Sequence, residues 1–136
     1  MSFKIDIVGT VQQCVNSVNG QLPGRADAAG NAMRNAALEV LRGQRGGKVY
    51  RKPTGGSYTA SSPGEPPAWR TGTLAKSWRP VSSNGNPAIE SSVPYTGYME
   101  NGTPGGKIKP RPFADKIVEK AKSEVLAIYG QPFNLP

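Results

Sequence analysis

Between residues 43 and 67 the chain reads GQRGGKVYRKPTGGSYTASSPGEPP, with six glycines, four prolines and no sustained apolar period. Glycine and proline at that density weaken helix and sheet interiors alike, so no single element can run through the stretch. A connection of that length is uncommon inside a compact domain, and where it occurs it is either functional or disordered. The chain therefore reads as one domain over residues 1–136, with an extended arm at about 43–68 between a helical first part and a mixed second part. Within the arm, KVYRK and SYTAS predict the two legs of a hairpin. Arg45, Lys48, Arg51 and Lys52 stand there against a lone Glu65. That balance suits docking on a neighbour or contact with DNA phosphate, and it equally suits a solvated flexible arm.

Only 36% of the residues are hydrophobic, alongside 17 Gly and 13 Pro. Such a chain buries a small core, and chains of this kind gain stability from partner subunits. The net charge of +8 favours polyanions or acidic protein surfaces, although solubility alone accounts for it too. There is no histidine, which removes the commonest general base and zinc ligand, and with them His-dependent triads, Cys–His dyads and HExxH sites. Ser77 with Lys76, or Glu90 with Glu100, are the pairings still open to catalysis, and neither lies in a catalytic motif. An enzyme is not expected, and neither is a cofactor or a metal. Cys14 is the single cysteine, so no intrachain disulfide can form. The absence of a long apolar run predicts neither a signal peptide nor a membrane span.

Along the chain, FKIDIVG alternates Phe3, Ile5 and Ile7 with Lys4 and Asp6, the period-two pattern of a half-buried strand ended by Gly9. Thr10 and Gln13 form a capping box for a short helix that carries Val11, Cys14, Val15 and Val18 on one face and stops at Gly20. Cys14 then reads as a small core residue. A second, longer helix is expected over PGRADAAGNAMRNAALEVLRGQ. There Ala26, Ala29, Met33, Ala36 or Ala37, Val40 and Leu41 recur at helical spacing and Gly43 terminates.

After the arm, TLAKSWRPV is a strand or a short helix carrying Leu74 and Trp78. SSNGNP holds an Asn-Gly turn signal. AIESSVPYTGYMENGT resumes as extended chain with Ile89, Val93 and Tyr95 facing inward, and Pro94 marks an edge or a bulge. The last helix starts at Pro112, buries Phe113, Ile117, Ala121, Val125 and Ile128, and closes at Gly130. The expected fold class is α+β: a small antiparallel sheet packed by N-terminal and C-terminal helices, with the arm as a long extension or hairpin loop.

Three landmarks stand in order: SPGEPPAWRTGTLAKSW at 62–78, YTGYMENGT at 95–103 and PRPFADKIVEKA at 110–121. Together they resemble the neck and tail-completion family of long-tailed bacteriophages, the head–tail joining proteins. Members show an Arg-Thr-Gly-x-Leu turn, a Tyr-x-x-Tyr-x-Glu-x-Gly-Thr segment and a Pro-Phe helix start. The matching residues here are Arg70, Thr71, Gly72 and Leu74, then Tyr95, Tyr98, Glu100, Gly102 and Thr103, then Pro112 with Phe113. The Ser-x-Pro-Gly-x-Pro-Pro stretch before them matches a form common in that family. The sequence departs from the pattern in the link PGGKIKPR and in the length of its arm.

The resemblance implies a structural virion protein of the phage neck that completes the tail and joins it to the head. It would be made in the bacterial host cytoplasm and located at the head–tail junction. The resemblance further implies a ring of identical subunits, a hexamer, around the DNA passage. Other neck, connector and tail-tube proteins would be its neighbours, with non-specific contact to DNA in the lumen and none to a membrane. A tail terminator capping the tail tube shares this layout and stays open as an alternative, as does a sequence-independent nucleic-acid-binding protein. Arg45, Lys48, Tyr50, Arg51, Lys52, Tyr58, Trp69 and Arg70 are the expected interface residues. The motif residues are expected to set the fold. Asn101-Gly102 turns the chain, Glu100 accepts from a backbone amide or pairs with a base such as Arg111, and Phe113 anchors the last helix.

Overall fold

A computed structural model of the chain describes residues 2–69, 72–81, 83 and 85–136. The Asn-Gly turn expected at SSNGNP falls partly outside them, at Ser82 and Asn84. The described part is α+β, with four helices and two small antiparallel ladders. Helix α1 (Val8–Arg42) is followed by the ladder of β1 (Val49–Arg51) and β2 (Ser57–Thr59). Next come α2 (Thr73–Lys76) and the ladder of β3 (Trp78–Pro80) and β4 (Ile89–Ser91). Helices α3 (Thr96–Asn101) and α4 (Ala114–Gly130) complete the chain. The hairpin expected in the arm forms, with Tyr50 opposite Tyr58. TLAKSWRPV resolves into both elements that it allowed, a one-turn helix and then a strand.

The N-terminal half departs from expectation. Residues 2–7 form no strand, and Phe3 is 90% and Ile5 81% exposed. Alternation supplies a face, but a strand also needs an edge to pair with, and none lies within reach. The two helices expected on either side of Gly20 are one 35-residue helix that contains Gly9, Gly20 and Pro23. Tertiary ties hold it together across that weak point, which propensity alone would break. Ser17 Oγ donates to the Asn134 carbonyl at 2.7 Å, and Gln21 exchanges hydrogen bonds with the same residue. Arg25 then donates to the carbonyls of Ile128, Tyr129, Gln131 and Pro132 and stacks over the Phe133 ring at 3.6 Å. These carbonyls include the unpaired acceptors at the C-terminus of α4, so a cation there caps the helix. The capping box at Thr10 does not form, because the helix has already begun at Val8; Asp6 Oδ1 accepts from the Val8 amide at 3.3 Å instead. Cys14 is half-buried rather than core, and Val11 and Val15 are exposed.

The second half of α1 carries the core. Ala26, Ala29, Ala32, Ala36, Ala37 and Leu41 are buried. The run of alanines lets α4 approach closely and antiparallel, so that Phe113, Ile117 and Ala121 close against Ala36, Ala37 and Leu41. Gly30 serves the same end toward the sheet: a Cβ there would stand 3.0 Å from Pro80 Cβ. Val125 and Ile128, expected in the buried stripe of the last helix, are half-buried. Phe113 is the residue preceding α4, so the helix begins two positions after Pro112. The ring of Phe113 meets Trp78 edge-on at 5.9 Å.

Tyr95 is not in extended chain and does not face inward; it immediately precedes α3 and is 44% exposed. Pro94 ends the extended run. The Thr96 hydroxyl and amide both donate to the Val93 carbonyl, turning the backbone into the helix.

Candidate functional site

The second and third landmarks meet through hydrogen bonds. Glu100, near the end of α3, accepts from the Phe113 amide at 2.7 Å and the Ala114 amide at 3.2 Å. These are donors that the first turn of α4 leaves without intrahelical partners, and a carboxylate there also opposes the positive end of the helix dipole. Of the two roles open to Glu100, the amide acceptor is the one it plays. Arg111 instead donates its backbone N–H to the Met99 carbonyl at 2.7 Å. Its guanidinium donates to the Ser61 hydroxyl at 2.6 Å and to the Ser61 and Lys109 carbonyls. The arm's return is thereby tied to the third landmark, and the Gly64 amide adds a bond to the Pro110 carbonyl.

Gly102 and Thr103 shape the loop between the two landmarks. Gly102 has φ +77° and ψ 174°, a region that only glycine occupies without strain. A Cβ there would also come within 2.8 Å of the Ile108 carbonyl oxygen. Thr103 closes the loop, its hydroxyl accepting from the Ile108 amide at 2.9 Å.

The first landmark reaches the same centre by packing. Gly72 has φ +80°, and a Cβ on it would strike the Trp69 ring at 2.6 Å. Leu74 is half-buried against the cluster that holds Phe113 and Ile117. Arg70 and Thr71 lie outside the described residues. A groove of about 500 Å³ opens where the landmarks and the arm come together, lined by Tyr58, Ser61, Trp69, Leu74, Tyr95, Met99 and Arg111 among others.

The expected interface residues divide into two groups. Arg45 is an internal staple. Its guanidinium donates to the carbonyls of Pro66 (2.6 Å), Val40 (2.7 Å), Gln44 (2.9 Å) and Pro67 (3.1 Å), and burial lowers its pKa while nearby Glu65 opposes that shift. Glu65 accepts from the Ser62 amide at 2.6 Å and the Gly46 amide at 3.0 Å. Those bonds, the one from Ser62 foremost, hold its carboxyl below the usual carboxylate range. Together the pair stitches the base of the arm.

Beyond that base the hairpin presents Lys48, Tyr50 and Arg51 to solvent. Lys52 and Tyr58 are half-buried. Tyr50 and Tyr58 stack across the ladder at 5.7 Å, and the Lys48 ammonium lies 5.4 Å from the Tyr50 ring. Trp69 is half-buried between the side chains of Arg42 and Lys76, at 5.3 and 5.5 Å. Tyr98 is exposed on α3.

Ser61 opens the Ser-x-Pro-Gly-x-Pro-Pro stretch and Met99 lies within the second landmark, but nothing in the sequence marks either as a partner of Arg111, which bonds to both. Among the described residues no helix is long and apolar enough to cross a membrane. No family model, curated protein or solved structure matches the chain.

Proposed function

We propose that this chain is a structural subunit of the neck of a tailed-phage virion, completing the tail and joining it to the head as a ring around the DNA passage. The observation that carries this reading is the convergence of the three landmark motifs on one centre. Glu100 clamps the start of α4, Leu74 packs on the same cluster as Phe113, and the motif glycines Gly72 and Gly102 stand where a side chain would collide. These residues hold geometry, as the motif residues of a building block would. Around that centre stand exposed tyrosines and a basic hairpin, the residue types that dock on protein surfaces and on phosphate.

Locating a tagged copy of the chain along the axis of intact particles tests the proposal. Density at the junction between head and tail is the expected result. A position capping a tail tube in headless particles would favour the terminator reading, and absence from finished particles would overturn both. The hairpin offers a second handle. Its ends face each other where the Gly47 amide donates to the Ala60 carbonyl at 2.9 Å, so deleting residues 48–58 is expected to leave a folded protein that fails to join heads to tails. Normal particle yield would refute a docking role for the hairpin. Tight, steeply salt-dependent DNA binding by the isolated protein would favour the nucleic-acid-binding alternative.

A further inference from the structure

The β3–β4 ladder has two outer edges, and they differ. The Val81 amide donates to the Ala88 carbonyl, and Ser83 and Asn86 exchange both hydrogen bonds. Antiparallel alternation then leaves Trp78, Pro80, Ile89 and Ser91 with their backbone groups directed outward. On the β3 side the edge is partly closed. Pro80 has no N–H, and the Trp78 carbonyl accepts from Arg34 Nε at 3.2 Å. On the β4 side, the amides and carbonyls of Ile89 and Ser91 have no hydrogen-bond partner among the described residues. That is an open edge, the kind to which an extended segment adds as a further strand.

The same molecule carries a segment with strand-like alternation and no sheet. Residues 2–7 alternate apolar and polar, lie outside helix and strand, and are exposed throughout. They cannot reach their own β4. Ile89 pairs with Pro80, and Pro80 sits over Gly30. Gly30 is about 33 Å along α1 from Val8 at the helical rise of ~1.5 Å per residue. Residues 2–7 span at most about 20 Å when fully extended. The long helix therefore holds the segment away from the β4 edge of its own chain.

We propose that residues 2–7 of one subunit add as a strand to the β4 edge of a second copy. Each chain supplies one donor segment and one acceptor edge, so pairing needs no other component and leaves both roles free at the ends of any chain of subunits. Such head-to-tail interfaces close into rings when the rotation allows. Side-chain pattern and charge agree. Ile89 and Ser91 are half-buried on the face of the ladder that packs on α1, where Phe3, Ile5 and Ile7 would continue the apolar surface. Lys4 and Asp6 would share the opposite face with the exposed pair Glu90 and Arg79, one charge of each sign on either side. The inference deepens the ring reading and rests on it only for taking the neighbour to be an identical subunit.

Sedimentation velocity on the purified full-length protein tests this in solution, so its failure leaves the particle-location test untouched. Wild-type protein is expected to form oligomers. Lys4→Pro with Ile5→Pro, which removes the donor strand whichever way its amides point, is expected to leave only monomer. Ser91→Pro, which removes an outward amide from the acceptor edge, is expected to do the same. Mixing the two variants should then restore one species of twice the monomer mass and nothing larger, because one variant keeps its edge and the other its donor. Monomeric wild-type protein at every concentration, unchanged assembly of the double-proline variant, or no mixed dimer from two folded variants would each overturn the proposal. Should circular dichroism show Ser91→Pro unfolded, a synthetic peptide of residues 2–8 replaces it. The peptide should bind the double-proline protein and lose that binding when N-methylated at Lys4 and Ile5, and failure to bind likewise overturns the proposal.

Discussion

The two halves of α1 belong to one continuous helix and live in different surroundings. From Ala26 to Leu41 it buries seven residues against α4 and the β3–β4 ladder, whereas from Val8 to Arg25 it buries none. The same contrast holds between the centre built around Phe113 and the hairpin, whose β1 strand is exposed along its whole length. Cohesion in this molecule is concentrated in one hub, and the extensions leave apolar side chains in water. An isolated chain gains little from Phe3, Ile5, Val11 or Val15, so their hydrophobicity can stabilise only a contact with something else.

Substitutions that separate the two regions should fall in a definite order. Phe113→Ala empties the centre of the hub and is expected to cost about 3–5 kcal/mol in denaturant unfolding. A change within error of zero would mean that the hub is not where cohesion resides. Glu100→Ala removes a charged acceptor from two amides at the start of α4, and a loss of about 1.5–3 kcal/mol is expected by the same measurement. Unchanged stability would show that the α3–α4 clamp contributes nothing.

Acid should loosen the base of the arm before the hub. The Glu65 carboxyl is held below its ordinary value in the folded protein. Its contribution is therefore present above the unfolded value of about 4.3 and is lost as pH falls below it through the folded value. Protection of the Gly46 and Ser62 amides against exchange, taken relative to unstructured peptide at the same pH, is expected to fall in that window for wild-type protein, and Glu65→Gln should remove the pH dependence. An identical acid profile for the variant would break the assignment. Smallest of all, Val11→Ser with Val15→Ser should shift monomer stability by no more than about 0.5 kcal/mol, as exposed positions do. A larger loss in dilute protein would mean that the first half of α1 is already packed within one chain.

Much of this contrast could be read from residues alone. The helical spacing of Ala26, Ala29, Met33, Ala36 and Leu41 found the buried face of α1, and the spacing of Phe113, Ile117 and Ala121 found that of α4, because periodicity reports which side of a helix meets a neighbour. KVYRK and SYTAS gave the hairpin because glycine and proline between them leave few other options. The candidate site was half visible. Its place beside a turn left Glu100 two roles, amide acceptor or partner of a base, and the fold chose the first; Ser61 as the partner of Arg111 was not legible, since the two lie far apart in sequence. Arg45 was grouped with the exposed bases because charge says nothing of which carbonyls will surround it.

Local chemistry, then, determined which stretches turn, which are amphipathic and where the motif residues stand. Tertiary structure decided that Gly20 and Pro23 do not end a helix, because Ser17, Gln21 and Arg25 are fastened to the C-terminal segment on either side of them. It also decided that FKIDI, for all its alternation, forms no strand within its own chain. Alternation is a property of one segment, but a ladder needs a second edge within reach, and the length of α1 carries that segment out of reach of its own.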